Sequence, residues 1–400
     1  MTTPETRRIY RQQFTLKYGC NPHQSPASVH SVDGASLPFR VLNGAPGYIN
    51  LLDALNAWQL VVELRESLHL PAAASFKHVS PAGAAVAVPL SETLEAAYEV
   101  GGKDLTPQAL AYLRARQADP KSSFGDFAAL SDTVDEATAL VLKTEVSDGL
   151  IAPGYDSKAL EILKAKKGGK YIVLEGDPAY RAPEVEYKEV FGVALSQKRN
   201  TARITREGLG QPVTDAQQLS DDAVRDLILA AITLKYTQSN SVGFALDGQM
   251  IGVGAGQQSR VDCTRLAGSK ADVWFLRQHP KVLALVFKPG TKRADRTNGR
   301  VRYIEGDITP RERAVWEGLF ARPAPQWGQG ERETWLTGLK DVSLASDAFF
   351  PFPDSIDQAA KRGVRYIWQP GGSVADPQVI EACNEYGMAM VFSGTRLFHH

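Results

Sequence analysis

Short apolar runs alternate with longer stretches of helical spacing along most of the chain. Ala72 to Phe76, Gly169 to Glu175, Gly243 to Asp247 and Val364 to Gln369 are β-like, whereas Asp221 to Leu234 and Pro377 to Glu385 carry helical periodicity. This alternation predicts an α/β fold. From about residue 281 to residue 340 the strand pattern is lost, charge is dense, and Pro323, Pro325 and several glycines intervene, so that stretch reads as an inserted helical segment. Two short patterns recur about half a chain apart. Asp104-Leu105-Thr106-Pro107 heads a helix-like run ending at Arg116, and Asp307-Ile308-Thr309-Pro310 heads another ending at Arg322, an offset of 203. In both, Thr is the N-cap and Pro the first helical residue, and Glu312 adds a capping box to the second. Ser147-Asp148, followed by Pro153 and Asp156-Ser157, is echoed by Ser346-Asp347, Pro353 and Asp354-Ser355 at an offset of 199. Such offsets predict a duplicated domain, residues 1–197 and then 198–400, joined near the polar stretch Ser196 to Gly210.

Composition narrows the class of function. Hydrophobic residues at 43% and charged residues at 22% are those of ordinary globular domains and exclude disorder or a coiled coil. Lys+Arg and Asp+Glu both number 45, so no global field recruits nucleic acid or a membrane surface, and an anionic ligand must meet a local cluster. A small-molecule ligand is therefore expected. Cys20, Cys263 and Cys383 are odd in number and widely spaced, against a disulfide framework or a paired-cysteine zinc site. With a polar, basic start from Met1 to Tyr18 and no long apolar run, neither signal peptide nor membrane span is expected, and the location expected is cytoplasmic.

Candidate chemistry concentrates at Ser75-Phe76-Lys77-His78-Val79-Ser80-Pro81-Ala82-Gly83. Ala72 to Phe76 reads as a buried strand, and Ser80 before Pro81 as an N-cap followed by the first helical residue. The pair Lys77-His78 would then sit at the carboxyl end of a strand, beside a helix start whose free N–H groups suit an anion or a developing oxyanion. A satisfied loop histidine is the rival reading of these residues alone. Neighbours on a strand face opposite ways, so the backbone must bend after Phe76 for both side chains to act together.

Four further segments set polar groups among Gly and Pro, as rigid ligand loops do. They are Lys17 to Gln24, with an Asn21-Pro22 turn; Thr237-Gln238-Ser239-Asn240-Ser241; Gly252 to Arg260; and Asp347 to Asp354. The third lacks the last glycine of a dinucleotide fingerprint, which disfavours a nicotinamide cofactor. In the fourth, three aromatics between two acids suit a flat heteroaromatic ring or, equally, a core strand. The terminal Arg396-Leu397-Phe398-His399-His400 reads either as functional or as a frayed end or clipped tag. Nucleophile-elbow, Walker, His-Glu-x-x-His and zinc-deaminase motifs are absent from the sequence.

In this order and spacing, Tyr18 to Gln24, Lys77 to Gly83, Val146 to Tyr155, Tyr236 to Val242, Gly254 to Arg260, Asp347 to Phe352 and Arg396 to His400 resemble the AICAR transformylases, the formyltransferases of purine synthesis. The resemblance runs over essentially the whole chain. It implies duplicated cytidine-deaminase-like domains with a helical insert, and a homodimer with active sites at the subunit interface. It also implies a stand-alone form without the IMP cyclohydrolase domain usual in the family, and so no cyclohydrolase activity. The implied reaction transfers a formyl group from the cosubstrate 10-formyltetrahydrofolate to the 5-amino group of AICAR, with His78 taking the amine proton and Lys77 steadying the oxyanion or protonating the leaving nitrogen. Each role is worth about 10²- to 10³-fold.

The residues implied for the nucleotide are Lys17, Tyr18, His78, Gly125, Asp148, Asn240, Arg260, Phe349 and Arg396, and those for folate Val261, Asp354, Ser373 and Val374. His400 is implied to close the site, and some family members hold a potassium ion near Thr237, Ser239 and Asp347. Two departures stand out. Lys17 replaces a common Arg, which loses the bidentate fork on phosphate, and Pro370-Gly371-Gly372-Ser373-Val374 differs from the usual Pro-Ser-Gly-Ser-Ala. The rival from another class is a non-catalytic purine-nucleotide-binding protein that kept the fold. No Lys-His pair stands at a matching place in the second half, so the halves are expected to be alike in architecture and unequal in chemistry.

Overall fold

The computed structural model describes residues 5–400, so the first four residues of the polar N-terminal stretch lie outside the described residues. Strands β1 (Tyr10–Leu16) and β2 (Ala27–Val32) pair with each other, ahead of β3 (Phe39–Asn43). The chain continues through α1 (Tyr48–Leu68), a hairpin of β4 (Ala72–Lys77) and β5 (Ser80–Val86), α2 (Glu92–Tyr98) and α3 (Pro107–Ala118). Then come β6 (Asp126–Leu130), α4 (Glu136–Thr144), β7 (Ser147–Ala152), α5 (Ser157–Ala165) and β8 (Ile172–Gly176). An exposed hairpin of β9 (Val185–Val190) and β10 (Val193–Lys198) ends where the junction was expected.

The succession then returns. It comprises α6 (Asp221–Lys235), the hairpin β11 (Val242–Leu246) and β12 (Gln249–Gly254), and α7 (Arg260–Leu276). Four helices intervene where the insert was expected: α8 (Pro280–Leu283), α9 (Arg293–Glu305), α10 (Pro310–Glu317) and α11 (Glu331–Leu336), around a small aromatic core of their own. The succession closes with β13 (Val342–Ser346), α12 (Asp354–Ala360), β14 (Val364–Gln369), α13 (Asp376–Glu385) and β15 (Ala389–Phe392).

All strands except the two small hairpins join one mixed sheet of 11 strands in the order β15-β14-β13-β11-β12-β5-β4-β6-β7-β8-β3. Outward from the centre, β5-β4-β6-β7-β8 is matched by β12-β11-β13-β14-β15. Strands β5 and β12 meet antiparallel, Gln249 opposite Ala85. The two halves therefore point opposite ways. The end of β4, the starts of β6 and β7, and the ends of β13, β14 and β15 share one edge of the sheet.

Alternation along the strands fills both faces. Ala72, Ala74 and Phe76 pack with α1 and α6 on one side, while Ala73, Ala85 and Ala128 pack with α3 and α7 on the other. Two glycines at the fourth position of their strands allow those second contacts. A Cβ on Gly83 of β5 would lie 2.2 Å from the Ala115 carbonyl of α3, and one on Gly252 of β12 would lie 2.1 Å from the Ala267 carbonyl of α7.

Neither sequence echo falls on equivalent elements of this recurrence. Thr106 caps α3, whose counterpart is α7, whereas Thr309 caps α10 inside the insert, with its capping box formed. Ser147 begins β7, but Ser346 ends β13. A Thr-Pro helix start is generic chemistry that any helix can use. The matching elements stand about 170 residues apart before the insert, Ala72 against Val242, and about 217 after it, Ser147 against Val364.

Candidate functional site

Lys77 is the last residue of β4, and β5 begins only three residues later at Ser80, which pairs with it. His78 and Val79 are the whole turn, with φ of 52° and 61°. Positive φ at both central positions is the pattern of a type I′ turn, which suits the twist of a hairpin. The expected helix start at Ser80-Pro81 is therefore corrected to a strand. The apolar run after Ser80 is buried at the centre of the sheet, and Pro81 is tolerated near the start of its strand, before β12 joins at Ala85. The backbone does bend where the pair requires it. The ladder slips between Ser75 and Phe76, and the chain reverses at His78.

A β-branched residue at positive φ is an outlier, costing about 1–2 kcal/mol. Asp53 of α1 holds it there: its carboxylate accepts the Val79 N–H at 2.6 Å. Nothing in the local sequence around the pair points to Asp53. Burial pushes its carboxyl up from the ordinary value, while the Val79 hydrogen bond and the charges of His78 and Lys77 pull the other way. Lys77 Nζ donates to the Gly125 carbonyl at 2.8 Å, and a side chain at Gly125, φ 73°, would crowd that ammonium. The imidazole of His78 is exposed and makes no hydrogen bond among the described residues. Asp148, on neighbouring β7, accepts from Lys167 Nζ at 2.6 Å. Beneath them Asp126 is buried against Ser75 Oγ at 2.6 Å and the Arg116 guanidinium at 2.7 Å.

The loop Thr237 to Ser241, between α6 and β11, touches this hairpin: the Gln238 N–H donates to Ser80 Oγ at 3.4 Å. Its centre is the buried carboxylate of Asp347, which pairs with Arg260 and accepts from Ser239 Oγ at 2.6 Å and Ser241 N–H at 3.0 Å. Arg260 also donates to Asn240 Oδ1 at 2.8 Å. It is buried and engaged, so it is not an open phosphate cation as placed. Burial raises the Cys263 thiol to about 12, and its Sγ donates to the Asn240 carbonyl at 3.2 Å.

The chain end closes the same cluster. Leu397 N–H donates to the Asp347 carbonyl at 2.8 Å, while Ser239 and His399 exchange bonds of 3.0 Å. The chain end is thus packed against the Asp347 cluster rather than frayed. Arg396 is exposed with its guanidinium 4.5 Å from the Phe398 ring centre, and His400 lies edge-on to that ring at 5.7 Å. Of the three aromatics after Asp347, Phe350 is in the core, and Phe349 and Phe352 face outward. Neither the aromatic wall nor the core strand describes them fully.

Among the folate-assigned residues, Val261 lies in the first turn of α7, Asp354 opens α12, and Ser373 and Val374 follow β14, with Val374 fully exposed. Lys17 and Tyr18 follow β1, exposed, and neither side chain makes a hydrogen bond or ion pair among the described residues. The contacts join Lys77, His78 and Gly125 to the Asn240, Arg260 and Asp347 cluster through Ser80, but do not reach Lys17 or Tyr18. For the potassium expectation the donor chemistry fits. Hydroxyls and a carboxylate are hard oxygen ligands, and the buried Ser241 Oγ has no partner. No group of three metal-ligating His, Cys, Asp or Glu side chains forms among the described residues. No described helix is long and apolar enough to cross a membrane.

A family model described as the AICARFT/IMPCHase bienzyme matches residues 2–270. The chain is 34% identical over 391 residues to the bifunctional purine biosynthesis protein PurH of Roseobacter denitrificans, an alignment covering 96% of this chain and 60% of that protein. Against the proteins of the same name from Magnetococcus marinus and Paracoccus denitrificans, identity is 33% and 32%, covering 99% and 100% of this chain and 62% of each relative. The chain thus spans about 60% of the length of these curated relatives.

Proposed function

The chain belongs to the AICARFT/IMPCHase bienzyme family, and we propose that these residues carry out its formyl transfer, from 10-formyltetrahydrofolate to the 5-amino group of AICAR. The observation that carries this reading is the His78-Val79 turn. It holds an unpartnered imidazole next to an ammonium, at the sheet edge where the ends of β13 and β14 also arrive. The amine lone pair attacks the formyl carbon, forming the new C–N bond as the amine proton passes to His78. The negative charge on the former carbonyl oxygen lies beside Lys77. Collapse breaks the bond from the formyl carbon to folate N10, which leaves with a proton supplied through Lys77.

In this reading Lys17, Tyr18, Gly125, Asp148, Asn240, Arg260, Phe349 and Arg396 surround the nucleotide, and Val261, Asp354, Ser373 and Val374 surround the folate. The exposed cations, Lys17 and Arg396, meet the phosphate, while Arg260 acts by holding Asn240 in place. Potassium near Thr237, Ser239 and Asp347 would stabilise that loop, and His400 would cover the site. We read the recurrent succession of elements as two cytidine-deaminase-like units with a helical insert, and the protein as a homodimer whose sites lie at the interface. The isolation of Lys17 and Tyr18 from the other site residues supports the latter, and sedimentation velocity tests it.

The decisive assay mixes protein, AICAR and 10-formyltetrahydrofolate with potassium present and follows tetrahydrofolate release. Absence of turnover overturns the reading, and tight nucleotide binding without turnover would favour a binding protein. His78→Ala is expected to lower turnover at least about 10²-fold while nucleotide still binds. The reading takes the chain to carry the transformylase alone, and IMP formation in the same mixture would overturn that part of it.

A further inference from the structure

The two hairpins at the centre of the sheet are built alike, and the differences between them isolate one residue. In the first, Asp53 is the sixth residue of α1 and accepts the N–H of Val79, the second turn residue, at 2.6 Å. In the second, Asp226 is the sixth residue of α6 and accepts the N–H of Gly248, again the second turn residue, at 2.7 Å. Each carboxylate is buried, so each does the same structural work of satisfying a turn amide.

Three features differ. The second turn is Asp247-Gly248, whose residues tolerate positive φ cheaply, while the first carries the β-branched Val79, which does not. Asp226 pairs with the Arg225 guanidinium at 2.9 Å; Asp53 has no ion-pair partner among the described residues. The positive charges that act on Asp53 are instead those of the turn itself, from Lys77 and from His78 when it holds a proton. A buried carboxylate without an arginine is costly unless nearby positive charge offsets it.

Resting on the formyl-transfer reading for its kinetic meaning, we propose that Asp53 is a positioning residue for the Lys77-His78 pair. Its carboxylate fixes the strained turn that aims the imidazole, and it is the buried counter-charge to the Lys77 ammonium and to the His78 ring once that ring has taken a proton. Asp226 is its structural twin at the opposite edge of the sheet, next to the Asp247-Gly248 turn rather than to Lys77 and His78, and so serves as an internal control.

The test uses the full chain with Asp53→Asn and Asp226→Asn. Both remove one charge and keep a side-chain oxygen that can accept the turn amide. Both are expected to lose stability to a similar degree. Only Asp53→Asn is expected to lower kcat, by at least tenfold, with KM for AICAR within threefold of the parent; Asp226→Asn is expected to stay within twofold in both. The His78 ring carbon-bound proton, identified as the NMR signal lost in His78→Gln, is expected to shift in Asp53→Asn and to stay put in Asp226→Asn.

Equal kcat losses in the two variants, or an undiminished kcat in Asp53→Asn, overturn the proposal. So does an unmoved His78 signal, whether or not the parent protein turns over. An inactive parent with a shifted signal would instead sink the formyl-transfer reading and uphold the positioning role. Asp53→Glu, which keeps the charge but moves it by one methylene, covers the case in which asparagine prevents folding. It is expected to fold and to show the same selective loss of kcat.

Discussion

Replacing Val79 with glycine separates what the first hairpin does for stability from what it does for chemistry. Val79 holds φ at 61°, and relieving that strain returns about 1–2 kcal/mol. Against this, glycine loses about 0.5–1 kcal/mol more conformational entropy on folding, and a half-buried valine gives up about 1 kcal/mol of burial. The net change is within about 1 kcal/mol of zero. The reciprocal change at the twin position is not neutral. Gly248→Val puts a Cβ at φ 72° and 2.6 Å from Val88 Cγ2, so strain and overpacking together cost about 2–4 kcal/mol. In a chain of 400 residues 1 kcal/mol moves the melting temperature by only about 1 °C, so equilibrium urea denaturation followed by tryptophan fluorescence is the better assay. The freed backbone at Val79 costs turnover instead. Recovering about 1 kcal/mol of ordering in the transition state corresponds to about a fivefold fall in kcat. Destabilisation by Val79→Gly of more than 2 kcal/mol, on the scale read for Gly248→Val, would show that Val79 is a packing residue and refute the reasoning.

Other outcomes follow from contacts elsewhere. Burial alone would raise the Glu99 carboxyl, but hydrogen bonds and charge from Arg296 and Arg300 bring it down to about 2. Its contribution to holding α9 against the first half is complete above about pH 4.5 and is lost as pH falls toward 2; it is on the order of 2–3 kcal/mol, and Glu99→Gln should flatten that part of the acid-unfolding curve. Asp347→Asn leaves the buried Arg260 guanidinium without its charge partner. It is expected to cost about 3–5 kcal/mol and to expose the chain end after Phe392 to carboxypeptidase, which trims the parent more slowly. Thr309→Ala removes one side of the capping box of α10 and should lower stability by about 1 kcal/mol in urea, with formyl transfer unchanged.

Much of the frame is legible in periodicity and capping. The strands at Ala72, Gly243 and Val364 and the helices at Asp221 and Pro377 appear where spacing places them, because short continuous apolar runs suit strands covered on both faces and helical periodicity suits the segments that cover them. The failures are long-range. Ser80-Pro81 carries a helix-start signal, yet the β5 strand prevails because Gly83 lets α3 press onto the sheet and Asp53, 26 residues before Val79, anchors the turn. Arg260 is legible as a polar residue of a candidate ligand loop, but its buried partner Asp347, 87 residues away, is not. The recurrence was visible at the wrong spacing. Helix caps repeat for local reasons, whereas the pairs that the packing ties together, Asp53 with Asp226 and Gly83 with Gly252, are 173 and 169 residues apart and resemble nothing as motifs.

The antiparallel seam between β5 and β12 explains why the halves are unequal in chemistry. It places the His78-Val79 turn at one edge of the sheet and its twin, Asp247-Gly248, at the other. The edge that holds Lys77 and His78 receives from the second half the ends of parallel strands β13 and β14 and the loop of Asn240. These are places where an open sheet leaves room for a ligand. Each half therefore supplies a different end of the same architecture to one composite site. The opposite edge pairs the second turn with the ends of β6, β7 and β8, and there Asp226 is neutralised by Arg225 and the turn residues are the cheap ones. Writing His-Val over Asp247-Gly248 would thus add strain at that edge without creating a second centre, because Leu246 stands where Lys77 precedes the first turn. A gain of formyl transfer in such a variant, measured with His78→Ala in the background, would contradict this account of the asymmetry.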